Sequence, residues 1–325
     1  MESHLFKPLI IAAVSFLTFN LSGFSKEQDL EDTALVDRFF PQSLIDESNE
    51  HLSAGGASHF RSSTFIRADL DQEGFARYVI AAYTNGLSGA VRVIRKENPS
   101  VIVAESSVPL MFGIYSSIRL VNFRGSGSPA IVVSFTSATG NCADWIYERD
   151  KNTLKLVGPA ETLEDGNQTT VLGDAVFVDL RGDGKLEIVN PPDPLGAAAD
   201  VSALSRFKIF ELSGDSYVST GRFFNFFETF VQQQDESEGD TRSFTLENSD
   251  RKYVLTVAKR SESSGTHRIA SAEIWINGRL IVSSKNLPIV VQALTIPIEL
   301  SSSNTISVKL NGPPGAELSV GIGPE

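Results

Sequence analysis

One cysteine in 325 residues excludes an intramolecular disulfide, and with it any small cross-linked scaffold. Four histidines leave little imidazole for catalysis. His4 and His51 lie in or near the leading segment, and neither His51 nor His59 has an acid set to orient it as a base, so a Ser/His hydrolase gains no support. Basic charge is also scarce: 28 Lys and Arg stand against 40 Asp and Glu, a net charge of −12. Nucleic acid and anionic membrane both select a basic face, so neither is expected as a partner. A long hydrophobic run is missing too. Residues 9–21 form an apolar run interrupted by Asn20, well short of the roughly 20 residues a spanning helix needs.

That short run reads instead as the core of a secretory signal over residues 1–25. Lys7 gives the positive start, and Gly23 and Ser25 place small residues at −3 and −1 of a cut before Lys26. No cysteine follows to carry a lipid. The expected protein is exported to the periplasm, the cell surface or the medium, with no membrane insertion after cleavage. In that setting Cys142, beside Trp145 and Ile146, is expected to be buried and inert.

What is present is organised around residues 175–190. Apolar, β-rich stretches flank a turn carrying Asp179, Asp183 and Glu187, with Gly182 and Gly184 bracketing the middle acid. Glycine accepts positive φ, so so dense a turn can fold back on itself. Three carboxylates within nine residues repel one another unless a cation sits between them, and a hard cation such as Ca²⁺ takes six to eight oxygens. The pattern is not an EF-hand, whose bidentate Glu stands at loop position 12 between helices.

The turn recurs. DLDQEG begins at residue 69, NFRGSG at 122 and DLRGDG at 179, steps of 53 and 57 residues. An apolar stretch follows each turn (78–82, 130–134, 186–189), then another (90–94, 145–148, 207–211). Polar turns at 97–99, 150–152 and 213–215 lead to a last one (101–104, 154–157, 217–220). Short strands with turn signals between them make each unit a four-stranded antiparallel sheet. Such sheets at a period near 50 residues are propeller blades.

The run DLRGDGKLEIV at 179–189 resembles the FG-GAP/VCBS repeat of integrin α-subunit propellers and many exported bacterial proteins. The resemblance covers roughly half of the chain. It implies calcium ligands at the first, third, fifth and ninth loop positions and glycine at the sixth. The third repeat matches at Asp179, Asp183, Gly184 and Glu187 but carries Arg181 at the third position. The first supplies Asp69, Asp71 and Glu73 with Gly74, and Arg77 replaces the last acid. The second keeps Asn122 and Gly127 and has no carboxylate. Arg181-Gly182-Asp183 also spells an integrin-recognition tripeptide, but Asp183 is expected to point into the loop, away from a partner.

Three blades fall short of the four to eight of closed propellers. They form an open arc covered by the N-terminal segment or the C-terminal domain, or a second chain completes the ring; the sequence admits each. Residues 26–60 read as an N-terminal linker with a short helix over 29–40 stopped by Pro41. Blades are assigned to 61–230, with an irregular insertion at 191–205. Phe223, Phe224, Phe226, Phe227 and Phe230 are expected to pack under a sheet or to cover a blade end. The polar, acidic stretch 231–241 reads as a linker. From 242 to 325 seven alternating stretches (243–246, 253–257, 272–276, 280–282, 294–300, 305–310, 316–320) with Asn277-Gly278 between two of them predict a small β-sandwich, similar to modules at the ends of bacterial surface proteins.

The fold class expected is all-β: propeller-like four-stranded blades, about three in an open arrangement, followed by a β-sandwich. The functional expectation is a non-enzymatic binding or adhesion protein whose Ca²⁺-stabilised blades present loops to a protein or glycan partner. The alternative is a polysaccharide-active enzyme or its accessory subunit.

Overall fold

The computed structural model describes residues 26–54, 60–109, 113–125, 127–138, 140, 142–162, 168–192, 206–234, 239–248, 251–259 and 269–325. The leading segment 1–25, most of the insertion at 191–205, and His4, His59 and His267 lie outside them. Two compact units result, Met1–Phe39 and Phe40–Glu325. The first contains helix α1 (Lys26–Arg38). The second opens with Pro41 as the N-cap of α2 (Gln42–Ser53), a helix the sequence reading missed. Its apolar positions are few, and it is held through polar contacts. Asn85 Nδ2 donates to the Leu44 carbonyl (3.0 Å) and to Glu47 (2.7 Å), and Ser88 Oγ to Glu47 (2.9 Å). Among the described residues no helix is long and apolar enough to cross a membrane.

Three consecutive antiparallel sheets follow, each with its strands in chain order. The first is β1 (Ser62–Ala68), β2 (Tyr78–Thr84), β3 (Ser88–Arg95) and β4 (Val101–Pro109). The second is β5 (Gly113–Val121), β6 (Ala130–Ser137), β7 (Cys142–Asp150) and β8 (Thr153–Leu156). After the small ribbon β9 (Ala160–Thr162) and β10 (Gln168–Thr170) comes the third, β11 (Val176–Val178), β12 (Glu187–Asn190), β13 (Phe207–Ser213) and β14 (Ser216–Phe224). The second strand is buried along its whole length in the first and third sheets and over Ala130–Val133 in the second, because apolar layers lie on both of its faces. Ile80, Val91 and Val93 of the first sheet share a core with Ile131, Val133, Trp145 and Tyr147 of the second. Val132 and Ile146, on the second sheet's other face, join Phe177, Ile188 and Phe210 of the third. Continuous apolar runs where a one-sided sheet would alternate are the signature of this stacking.

The third sheet's far face meets the C-terminal sandwich through Val178, Val189, Ile209, Phe224, Phe227 and Ala258. Two four-stranded sheets make up the sandwich. One orders β15 (Phe226–Val231), β22 (Glu317–Pro324), β17 (Tyr253–Lys259) and β20 (Ala293–Ile298). The other orders β16 (Asp240–Thr245), β21 (Ser303–Asn311), β18 (Ser271–Ile276) and β19 (Arg279–Val282). Their common core includes Leu255, Val257, Ile274, Ile306 and Leu318. All seven expected strands form, and Asn277 (φ 51°) with Gly278 (φ 77°) makes the tight β18–β19 turn. Trp275 falls on the outer face, between the inward Ile274 and Ile276.

The fold is all-β with propeller-like sheets and a sandwich, as expected. Two boundaries differ. The Phe cluster splits: β14 ends at Phe224, while Phe226–Val231 crosses over as an edge strand beside β22. The expected blade region therefore ends near 224. The crossover is tight because β22 offers glycines there; a Cβ on Gly321 would stand 2.7 Å from the Phe224 ring. The stretch read as a linker ends inside strand β16, and residues 40–325 behave as one compact unit.

Candidate functional site

Two groups of polar residues stand at opposite ends of the sheets. One end carries the turns between first and second strands, where the sequence placed its candidate ligands. In the third sheet, Asp179 is buried, and its carboxylate accepts three backbone N–H groups of its own turn: Gly182 (2.6 Å), Asp183 (3.1 Å) and Gly184 (2.8 Å). Gly182 (φ 72°) and Gly184 (φ 82°) supply the left-handed steps that aim those groups inward. The first sheet repeats the device, with Glu73 and Gly74 donating to Asp69 at 3.1 and 2.6 Å.

The remaining acids go to arginines. Arg181 Nη2 lies 2.7 Å from Glu187 Oε1 and 3.6 Å from Asp183 Oδ2, and its Nη1 lies 3.5 Å from Glu211. Glu187 is 1% exposed, and its Oε2 accepts the Leu180 N–H at 2.7 Å. Its Oε1 makes the ion pair without hydrogen-bond alignment. Burial pushes the Glu187 carboxyl above the ordinary range, and Asp179 and Asp183 add to that, against the pull of Leu180 N–H and Arg181. Burial works to lower the Arg181 pKa, but the charges of Glu187, Glu211 and Asp183 outweigh it and hold it above its ordinary value.

In the first turn Asp71 accepts from Tyr78 Oη and from Arg149 of the second sheet (3.2 Å), while Glu73 pairs with Arg77 at 2.8 Å. In the second turn Arg124 holds Glu148 through two hydrogen bonds (2.9 and 3.1 Å) and reaches the Gly214 carbonyl of the third sheet at 3.2 Å.

Tested as calcium sites, these turns do not fit. Asp69, Asp71 and Glu73 turn to three different partners. Asp183 and Glu187 do converge, but on a guanidinium that fills the place a cation would take. Among the described residues no group of three or more His, Cys, Asp or Glu is arranged to hold a metal. The turns act as seams instead. Ser128 Oγ donates to the Leu70 carbonyl (3.1 Å), Leu186 N–H to the Phe123 carbonyl (3.0 Å), and Gly125 packs so closely that a Cβ there would meet the Gly184 carbonyl at 2.6 Å. Arg181 and Asp183 are drawn together, so the tripeptide they belong to is not splayed for a receptor.

The opposite end was not singled out from the sequence. Asp174 precedes β11 while Asp179 follows it, and Cys142 begins β7 at the far end of β6 from the 122–128 turn. Here Asp144, 1% exposed, accepts hydrogen bonds from Ser134 Oγ and the Ala175 N–H (2.7 Å), and the Cys142 thiol lies 3.7 Å away. Thr170 Oγ1 donates to the Asp144 carbonyl at 2.6 Å. Gly173 is wedged against the Cys142 carbonyl, which a Cβ would approach to 2.5 Å. Asp174 stays solvent-accessible at φ 52°. Partial burial and then the charge of Asp144 raise its carboxyl above the ordinary range, with Cys142 and Arg119 opposing. Cys142 is half-buried and pushed up to about 11, first by burial and then by Asp144, so it stays a thiol at neutral pH. The one sequence signal for this group was a Gly-Asp pair placed directly before an apolar stretch.

No family model matches the chain, and no curated protein does. Solved structures that overlap it include an exo-β-1,3-galactanase from Phanerochaete chrysosporium with galactose, 9% identical over 80% of this chain and 68% of that one, TM-score 0.20. A fructofuranosidase variant from Schwanniomyces occidentalis complexed with fructosylnystose is 7% identical over 82% and 70%, TM-score 0.22. The expectation of a non-enzymatic adhesion protein is corrected on this finding, since the overlapping chains are named as enzymes and the restriction to a non-enzyme does not stand. Overlaps this loose transfer neither a reaction nor catalytic residues.

Proposed function

We propose that this is an exported, polysaccharide-active protein with a glycan as its partner, working at the Asp144–Asp174 end of the second and third sheets. The observation that carries the reading is Asp174. It is an accessible carboxyl whose pKa is raised above the ordinary range, first by partial burial and then by the buried Asp144 beside it. A glycosidic oxygen departs only when protonated, and a carboxylic acid with a raised pKa is the usual donor. Asp174 is also a non-glycine residue in the left-handed region, a strain that surrounding structure must enforce and that concentrates at working sites.

In this reading Asp174 gives its proton to the departing glycosidic oxygen while a water adds to the anomeric carbon in its place, and the proton that water loses returns to the Asp174 carboxylate. Asp144, fixed by Ser134 and the Ala175 N–H, is a positioning residue whose charge keeps that proton in place. Cys142 stays neutral and packs between them. The Asp179 and Asp69 collars, which follow the FG-GAP/VCBS-like spacing, support a repeat of that type as the carrier of the site.

The test is a reducing-end assay over a panel of polysaccharides with wild type, Asp174→Asn and, as a control at the other end, Glu73→Gln. The expected result is cleavage by wild type and the control, and a loss of about 100-fold or more in Asp174→Asn. Equal activity in Asp174→Asn, or no cleavage of any member of the panel, would refute the proposal.

A further inference from the structure

We infer that Arg181 is a built-in counter-cation, which makes the third turn independent of calcium although its acids have the spacing of a calcium loop. The inference is separate from the proposed activity, which lies at the other end of the sheets.

Three observations carry it. First, the acids of this turn are already committed. Both oxygens of Asp179 accept backbone N–H groups, and Asp183 Oδ1 accepts the Lys185 N–H at 2.9 Å. Second, what is left over points at one side chain. Asp183 Oδ2, Glu187 Oε1 and Glu211 Oε2 lie 3.6, 2.7 and 3.5 Å from the terminal nitrogens of Arg181. A planar guanidinium, always charged, can spread its donors over several carboxylates as a divalent ion would. Third, Glu187 is buried with its Oε1 lacking any aligned hydrogen bond, so it needs a charge beside it and Arg181 is the one that reaches it. Removing one member of a buried pair leaves the other uncompensated.

The geometry also says what exchanging the residue should do. Aspartate at 181 would replace the donor with a fourth carboxylate among the same oxygens. That arrangement is repulsive alone and suited to a hard cation, which takes six or more oxygen ligands. Because Gly182 packs against Ala293 and Gln292 of the sandwich, stiffening or loosening this turn should register in the cooperative unfolding of the whole 40–325 unit.

The experiment is thermal unfolding and calorimetric titration with Ca²⁺ alone, on wild type and Arg181→Asp. Wild type should show the same Tm, within about 1 °C, in EDTA and in millimolar CaCl2, and no heat of binding. Arg181→Asp should melt lower in EDTA and regain about 5 °C or more with saturating Ca²⁺. If Arg181→Asp does not fold in EDTA, it is refolded with Ca²⁺: recovery supports the inference, and failure to recover overturns it. A wild type that binds Ca²⁺ and loses stability in EDTA overturns it, as does a folded Arg181→Asp indifferent to the ion. Arg181→Gln, which removes charge without adding a ligand, should melt lower than wild type with or without Ca²⁺; an unchanged Tm there counts against Arg181.

Discussion

The first and third turns start from nearly the same sequence, DLDQEG and DLRGDG, and end in different electrostatics. Both use the leading aspartate as a collar for the turn's own N–H groups. They part at the third position. Asp71 accepts from the buried Tyr78 and pairs with Arg149 on the next sheet, and Glu73 pairs with Arg77 where both are half exposed. Arg181, itself 43% exposed, pairs with a carboxylate that is 1% exposed. Exposed pairs such as Glu73–Arg77 contribute little, whereas a pair with one buried member is costly to break. Differences at the third to fifth positions thus leave the first turn with pairs at partly exposed carboxylates and set a guanidinium beside a buried carboxylate in the third.

Several changes would break or sharpen that contrast. The largest effect is expected at the buried collar. Asp179→Ala strands three N–H donors and should cost about 3 kcal/mol in denaturant unfolding; a cost equal to that at Asp69 would erase the difference between the turns. Gly125→Ala comes next, at about 2 kcal/mol, because it combines positive φ (72°) with a Cβ 2.6 Å from the Gly184 carbonyl. A neutral result there would mean that the turns are not a seam. Asp69→Ala removes a half-buried collar with two bonds and should cost about 1 kcal/mol.

Glu187→Gln tests the sign of the buried charge. The folded state raises this pKa above the ordinary 4.5, so the native protein holds the proton more tightly than the unfolded chain. Wild type therefore loses stability as pH rises from 4.5 through the raised value. Relative to wild type, Glu187→Gln should gain over that window, and a flat difference from pH 4 to 8 would show that burial does not dominate. Smallest of all, Asp71→Asn should change stability by less than about 1 kcal/mol, detectable mainly as weaker salt dependence.

Much of the architecture was legible because it depends on local patterns. The recurring turn with apolar stretches after it gave three sheets, and the alternation from 243 onward gave the sandwich with its Asn277-Gly278 corner. Helix α2 was missed because its apolar positions are few and its anchors are Asn85 and Ser88, 41 positions further on in two of its three contacts with the sheet. Phe226–Val231 fell within the blade region because Phe226 and Phe227 read as apolar in either half; only the pairing with β22, some 90 positions away, places them in the sandwich. Asp144 and Asp174 were invisible as a group because each is an isolated acid, one within β7 and one just before β11.

Period, turn chemistry and composition by themselves determined most of the strands, the sheet repeat and the acidity of the turns, since those follow from neighbours a few residues apart. Where each charge goes was decided only in three dimensions. Whether an acid faces water, an arginine or another acid depends on which sheets stack, and burial, absent from any short window, sets the energy of each choice. The arginine within the third turn was visible from the start; that it serves as the turn's own cation became apparent only when Glu187 and Glu211 were found around it.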